Sequence, residues 1–185
     1  MLFTFVSSRP SVPLSFLARV PPLGKVSCAT SLIALVSSAT RPELILHSVG
    51  LFNHTPVIPA GEGRQREVAY VEFPHDALLY SAFPHAHYRA YSSDLWIQYP
   101  DGKQKLLLTL PRYDFNWQRD YTFAEPIKVP AGSKLIAHSV YDNSRRNPSN
   151  PDPSIPVSWG EHSFQEMLFT SLRYRWVDET ASHRV

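Results

Sequence analysis

The chain has 185 residues, 18 of them Lys or Arg against 16 Asp or Glu, and a single cysteine. That length builds one domain with a sizeable core rather than two, and no run of about eighteen apolar residues marks a membrane span. Cys28 stands alone near the start, so the rest of the chain holds no disulfide, zinc–thiolate cluster or cysteine nucleophile. Charge is uneven. Residues 1–45 carry Arg9, Arg19, Lys25 and Arg41 with only Glu43, which leaves 14 bases and 15 acids beyond them. A near-neutral body lacks the basic stripe that phosphate neutralisation demands, so no nucleic acid is expected as a partner.

Residues 1–45 are rich in Ser, Pro and Arg, and Pro10, Pro13 and Pro21-Pro22 break any helix early. A targeting segment is one reading, because the apolar run from Ser31 to Val36 follows Lys25 and precedes Ser37-Ser38-Ala39. An organelle transit peptide, a disordered extension and a misassigned start are the others. The domain is expected over residues 46–178, with a tail at 179–185.

From residue 51 onward the pattern alternates with period two, as antiparallel strands do. Strands are predicted over Glu67–Phe73 and Ala77–Phe83. A hairpin is predicted from Asp94–Tyr99 and Gln104–Leu110, joined by Pro100-Asp101-Gly102. Arg119–Ala124, Lys134–Tyr141 and a long final strand Phe164–Trp176 follow, with Pro130-Ala131-Gly132 as a turn. Seven or eight short strands imply an all-β sandwich or jelly roll. The Asn/Pro/Ser-rich stretch Asn143–Pro156 reads as one long loop, a kind that often carries function.

The chemistry concentrates in Phe83-Pro84-His85-Ala86-His87-Tyr88-Arg89. On an extended strand, residues two apart share a face, so His85 and His87 can present two imidazoles to one ion. That pair suits copper, zinc, iron or nickel, and two surface or core histidines are the bland alternative. Met167, the only methionine after Met1, lies in an apolar stretch where gap-filling in the core is its ordinary role. As a metal ligand, its thioether would favour copper.

Residues 51–176 resemble the C-terminal copper-binding domain of the ascorbate-dependent type II copper monooxygenases, especially bacterial members. That family includes the peptidylglycine alpha-hydroxylating and dopamine beta-hydroxylating enzymes. The likeness runs through Phe83-Pro84-His85-Ala86-His87, Pro111-Arg112-Tyr113-Asp114-Phe115-Asn116-Trp117-Gln118, Tyr141-Asp142-Asn143-Ser144, Asn150-Pro151-Asp152-Pro153 and Glu166-Met167, in that order. The resemblance implies an antiparallel jelly-roll β-sandwich with copper as cofactor, held by His85, His87 and Met167. It also implies dioxygen as co-substrate, an ascorbate-like reductant, a second copper domain or redox partner, and a secreted or periplasmic location. Glu166, His138 and His162 are candidates for outer positions around the metal. Solvent-facing roles are the alternatives for Glu166 and His162.

Several departures bear on function. The preceding copper domain of the family has no counterpart, since residues 1–50 contain only His47. Phe83 stands where the peptide-processing branch has a substrate-binding Arg, and Ser171 where it has a Tyr. Peptide amidation is therefore not expected. A non-catalytic copper-binding or electron-transfer module, and a jelly roll that binds its ligand without metal, are the competing readings.

Overall fold

The strand over Ser133–Tyr141 shows why this sequence builds sheets. Leu135, Ala137 and Tyr141 are buried, while Lys134, Ile136 and His138 point the other way. A computed structural model describes residues 3–5 and 46–179. Among these residues there is no helix, and the strands in chain order are β1 (Phe3–Phe5), β2 (Leu46–Asn53), β3 (Val57–Ile58), β4 (Gln65–Phe73), β5 (Ala77–His85), β6 (Ala90–Gln98), β7 (Gln104–Leu110), β8 (Tyr121–Val129), β9 (Ser133–Tyr141), β10 (Val157–Ser158) and β11 (Leu168–Trp176).

Two antiparallel sheets, ordered β1-β2-β11-β5-β8 and β4-β9-β6-β7, face each other, and β3 pairs with β10 beside them. Leu51, Leu79, Leu168 and Leu172 from the first sheet meet Phe73, Leu95, Ile97 and Leu135 from the second in one core. Each such buried side chain contributes roughly 1.5–3 kcal/mol. At one end Phe73 packs edge-on against Tyr174, with ring centroids 5.0 Å apart. Nearby, the buried His47 meets the carboxylate of Glu179 and stacks on Tyr174. Glu179, placed in the tail by sequence, thus contacts the domain.

The hairpin between β6 and β7 forms as its turn residues demand. Gly102 takes a φ of 83°, and its N–H bonds the Tyr99 carbonyl at 2.9 Å. Several boundaries differ from the sequence expectation, most of them by extension of the strand. β2 begins at Leu46, β8 begins at Tyr121 rather than Arg119, and the last strand begins at Leu168 rather than Phe164. Residues 161–167 are instead held by side chains: Gln165 Oε1 accepts the His162 N–H at 3.2 Å, and Glu166 Oε1 takes the Met167 N–H at 2.9 Å. Such side-chain acceptors compete with the strand ladder for the same donors. Trp117 is 61% exposed beneath the Arg119 guanidinium. No helix among the described residues is long and apolar enough to cross a membrane. The targeting and extension readings for residues 1–45 lie outside the described residues, apart from 3–5.

Candidate metal centre

His85 is the last residue of β5, opposite Phe169 on β11, and His87 follows in the turn that leads to β6. Their ring centroids are 5.2 Å apart and the rings nearly perpendicular, at 88°. The pair straddles the end of β5 instead of lying on one strand as the sequence suggested, yet the two rings stay side by side.

Each ring has one nitrogen engaged. His85 Nδ1 donates to the Gln118 side-chain carbonyl at 2.5 Å, and His87 Nδ1 donates to the Gln165 carbonyl at 3.4 Å. An acceptor on Nδ1 fixes the proton there and leaves the Nε2 lone pair open to a metal. Gln118 is itself held, its amide donating to the Phe115 carbonyl at 2.9 Å. Between the two histidines, the Tyr113 hydroxyl accepts the Ala86 N–H at 2.8 Å and donates to the Ala86 carbonyl at 3.3 Å. Burial raises the Tyr113 pKa, so this hydroxyl stays protonated. Burial, and after it the neighbouring His85, lowers the His87 pKa below its ordinary value. A neutral imidazole is the form that ligates.

Glu166 joins the histidine segment to the methionine. It is 4% exposed, and its Oε1 accepts the His87 N–H at 2.5 Å and the Met167 N–H at 2.9 Å. Its Oε2 accepts the Arg89 N–H at 3.0 Å. Burial pushes its pKa up to about 7, opposed by those three N–H donors and by the Arg89 charge. Glu166 is therefore not solvent-facing but is held by the His87, Arg89 and Met167 backbones.

Arg89 is 1% exposed and binds three other segments. Its guanidinium donates to Asn143 Oδ1 at 2.8 Å, the Phe164 carbonyl at 2.8 Å and, more loosely, the Asp152 carbonyl at 3.5 Å. Asn143, wholly buried, passes the connection on to the Pro59 and Ile155 carbonyls at 2.9 and 3.0 Å. The loop after β9 is therefore packed around a polar hub.

Met167 stands just before β11, and its carbonyl accepts the Tyr141 hydroxyl at 2.9 Å. It is partly buried beside a small crevice shared with Ile58, Tyr141 and Trp159. His162 is exposed and stacks on Phe164, with centroids 5.1 Å apart. His138 corrects an expectation: it points to solvent from the outer face of the second sheet, opposite Asp94 and Val68. Strand alternation sends it away from the core face that Tyr141 occupies.

Among the described residues no three or more His, Cys, Asp or Glu side chains gather as a metal-holding group. As a donor set, two neutral imidazoles with a thioether would suit copper. Gln118, Tyr113, Arg89 and Asn143 were not singled out by sequence. Their signal was that each lies in the histidine segment or in a stretch that carries the resemblance. No protein-family model matches the chain, and no curated protein is detectably similar to it.

Proposed function

We propose that residues 46–179 form a copper-binding domain in which His85, His87 and Met167 hold one ion for dioxygen chemistry. On this reading the domain works as the C-terminal domain of the ascorbate-dependent type II copper monooxygenases does. The observation that carries it is the single Glu166 oxygen shared by the His87 and Met167 backbones. It makes one unit of two segments far apart in sequence, beside two imidazoles whose Nδ1 atoms are already engaged. Bound copper would supply one-electron chemistry toward dioxygen. The chain's part is to orient the donors, keep the imidazoles neutral and hold the backbone beneath them.

The jelly-roll form is supported by the connectivity. The chain passes from one sheet to the other at every connection between long strands except the β6–β7 hairpin. Phe83 and Ser171 are direct cross-strand partners beside His85, so an apolar ring and a hydroxyl occupy the place of a peptide-gripping Arg and Tyr. The proposed substrate is accordingly not a peptide carboxyl terminus. An ascorbate-like reductant and a second copper domain or redox partner complete the electron supply. A non-catalytic copper-carrying or electron-transfer module is the second reading, favoured by the single histidine pair of this kind among the described residues.

Copper loading of the purified chain followed by metal analysis tests the centre: about one equivalent is expected, and less than about a third would reject it. Met167→Ile is expected to keep the fold but lose Cu(I) affinity by about tenfold or more. Oxygen uptake with ascorbate should exceed that of His85→Ala; equal rates would favour the non-catalytic module.

A further inference from the structure

Beyond His87 the surface opens into a cleft of about 850 Å³ whose chemistry the metal reading does not use. That size lies within the range of roughly 300–1,000 Å³ typical of small-molecule sites. Tyr88, Tyr113 and Phe115 supply aromatic wall, with Tyr88 and Phe115 rings 4.5 Å apart. Arg112 and Arg146 enter it from two different loops, and neither makes an ion pair with a described residue. Arg146 lies close over Gly63, where a Cβ would come within 3.1 Å of its guanidinium. Tyr91, which also lines the cleft, carries the Arg64 guanidinium 4.1 Å over its ring.

Two carboxylates also line the cleft. Asp114 and Asp142 each use one oxygen on a backbone N–H, of Asn116 at 2.8 Å and of Ser144 at 2.9 Å. Two guanidiniums and two carboxylates line the cleft, and neither guanidinium is ion-paired to a described residue, so both are open to a carboxylate ligand. A polyanion would be repelled by the carboxylates, and an uncharged ligand would leave the guanidiniums unused.

We propose that this cleft binds an aromatic monocarboxylate, its ring against Tyr88 and Phe115 and its carboxylate on Arg112 and Arg146. With His87 in the wall, the bound ring lies beside the copper position. Its role as substrate rests on the copper reading, whereas its binding does not.

Fluorine NMR on the copper-free full chain tests the binding with 4-fluorophenylacetate as probe. Saturable broadening is expected, with 4-fluorophenylacetamide and 4-fluorophenyl phosphate about tenfold weaker or worse. The double variant Arg112→Gln/Arg146→Gln should weaken the carboxylate about tenfold and leave the amide unchanged. Equal affinity for carboxylate and amide, or no saturation, would overturn the proposal. Copper content is measured on the same samples without probe, so failure of the metal centre is scored separately. On Cu(II)-loaded protein the bound fluorine signal should broaden further; an unchanged linewidth at full copper occupancy would overturn the placement beside the metal.

Discussion

Replacing Glu166 by Gln tests whether burial or hydrogen bonding governs the carboxyl that joins the two ligand segments. The amide keeps the shape and one oxygen, so the His87 and Met167 N–H groups retain an acceptor. It also turns an NH₂ toward the Arg89 N–H, and a buried donor left facing a donor costs about 1–3 kcal/mol. The substituted amide does not titrate, while the Glu166 carboxyl does. With its ordinary value at 4.5 and its folded value near 7, the unfolded chain ionises first as pH rises. Folded stability of the parent protein therefore falls between about pH 4.5 and 7, by about 3 kcal/mol at 1.4 kcal/mol per pKa unit. Urea unfolding of the copper-free chain at pH 5 and pH 8 measures the difference. At pH 5 the Glu166→Gln variant should be less stable by about 1–3 kcal/mol, and by pH 8 the gap should close or reverse. A gap that widens toward pH 8 would mean that the three N–H donors outweigh burial, and would refute the reasoning.

Arg89→Met removes a buried cation that binds Asn143 and two loop carbonyls; a loss of about 3–5 kcal/mol in urea unfolding is expected. Gln118→Leu frees the His85 Nδ1 proton from its acceptor, and copper affinity measured by chelator competition should fall about tenfold to a hundredfold with little change in stability. For His87, an NMR titration should place the midpoint below that of an ordinary histidine, and a midpoint above 6.5 would contradict its burial. Gly50→Ala drives a methyl into the Phe52 ring and to within 2.7 Å of the Phe169 ring. The stacked pair must open, at a cost of about 1–3 kcal/mol, read as a lowered urea midpoint.

The strands were legible because their signal is local. Alternation with period two and the Pro-Asp-Gly and Pro-Ala-Gly turns fall within a few residues of one another. The His85–His87 pair was legible as a local spacing of two, although His87 lies past the end of β5, in the turn. Met167 was legible only as a residue type, because the link between its backbone and that of His87, through Glu166, joins positions nearly eighty apart. Its assumed strand was wrong for a physical reason: Glu166 captures the backbone donor that a ladder would have used. His138 misled because the side of the sheet it faces is fixed by packing against the opposite sheet, which lies far off in sequence. Gln118, whose carbonyl holds His85, reads in sequence as one polar residue in an aromatic loop.

The polar hub ties the distant segments that carry His87 and Met167 together without a disulfide. A strand end and a loop have few backbone bonds of their own at this place, so their N–H groups need acceptors. One buried carboxylate supplies acceptors for three of them, but an isolated buried anion is costly. Arg89 offsets that cost with its own charge, and its guanidinium then requires the carbonyls and the Asn143 amide that pack the long loop. Each polar group is tolerated only because the next is present, so the set behaves as a unit rather than as separate bonds. Loss of Arg89 and of Glu166 should therefore be far from additive. In the double variant Arg89→Met/Glu166→Gln the second change should cost less than it does alone, and an additive sum in urea unfolding would break the network into independent pieces.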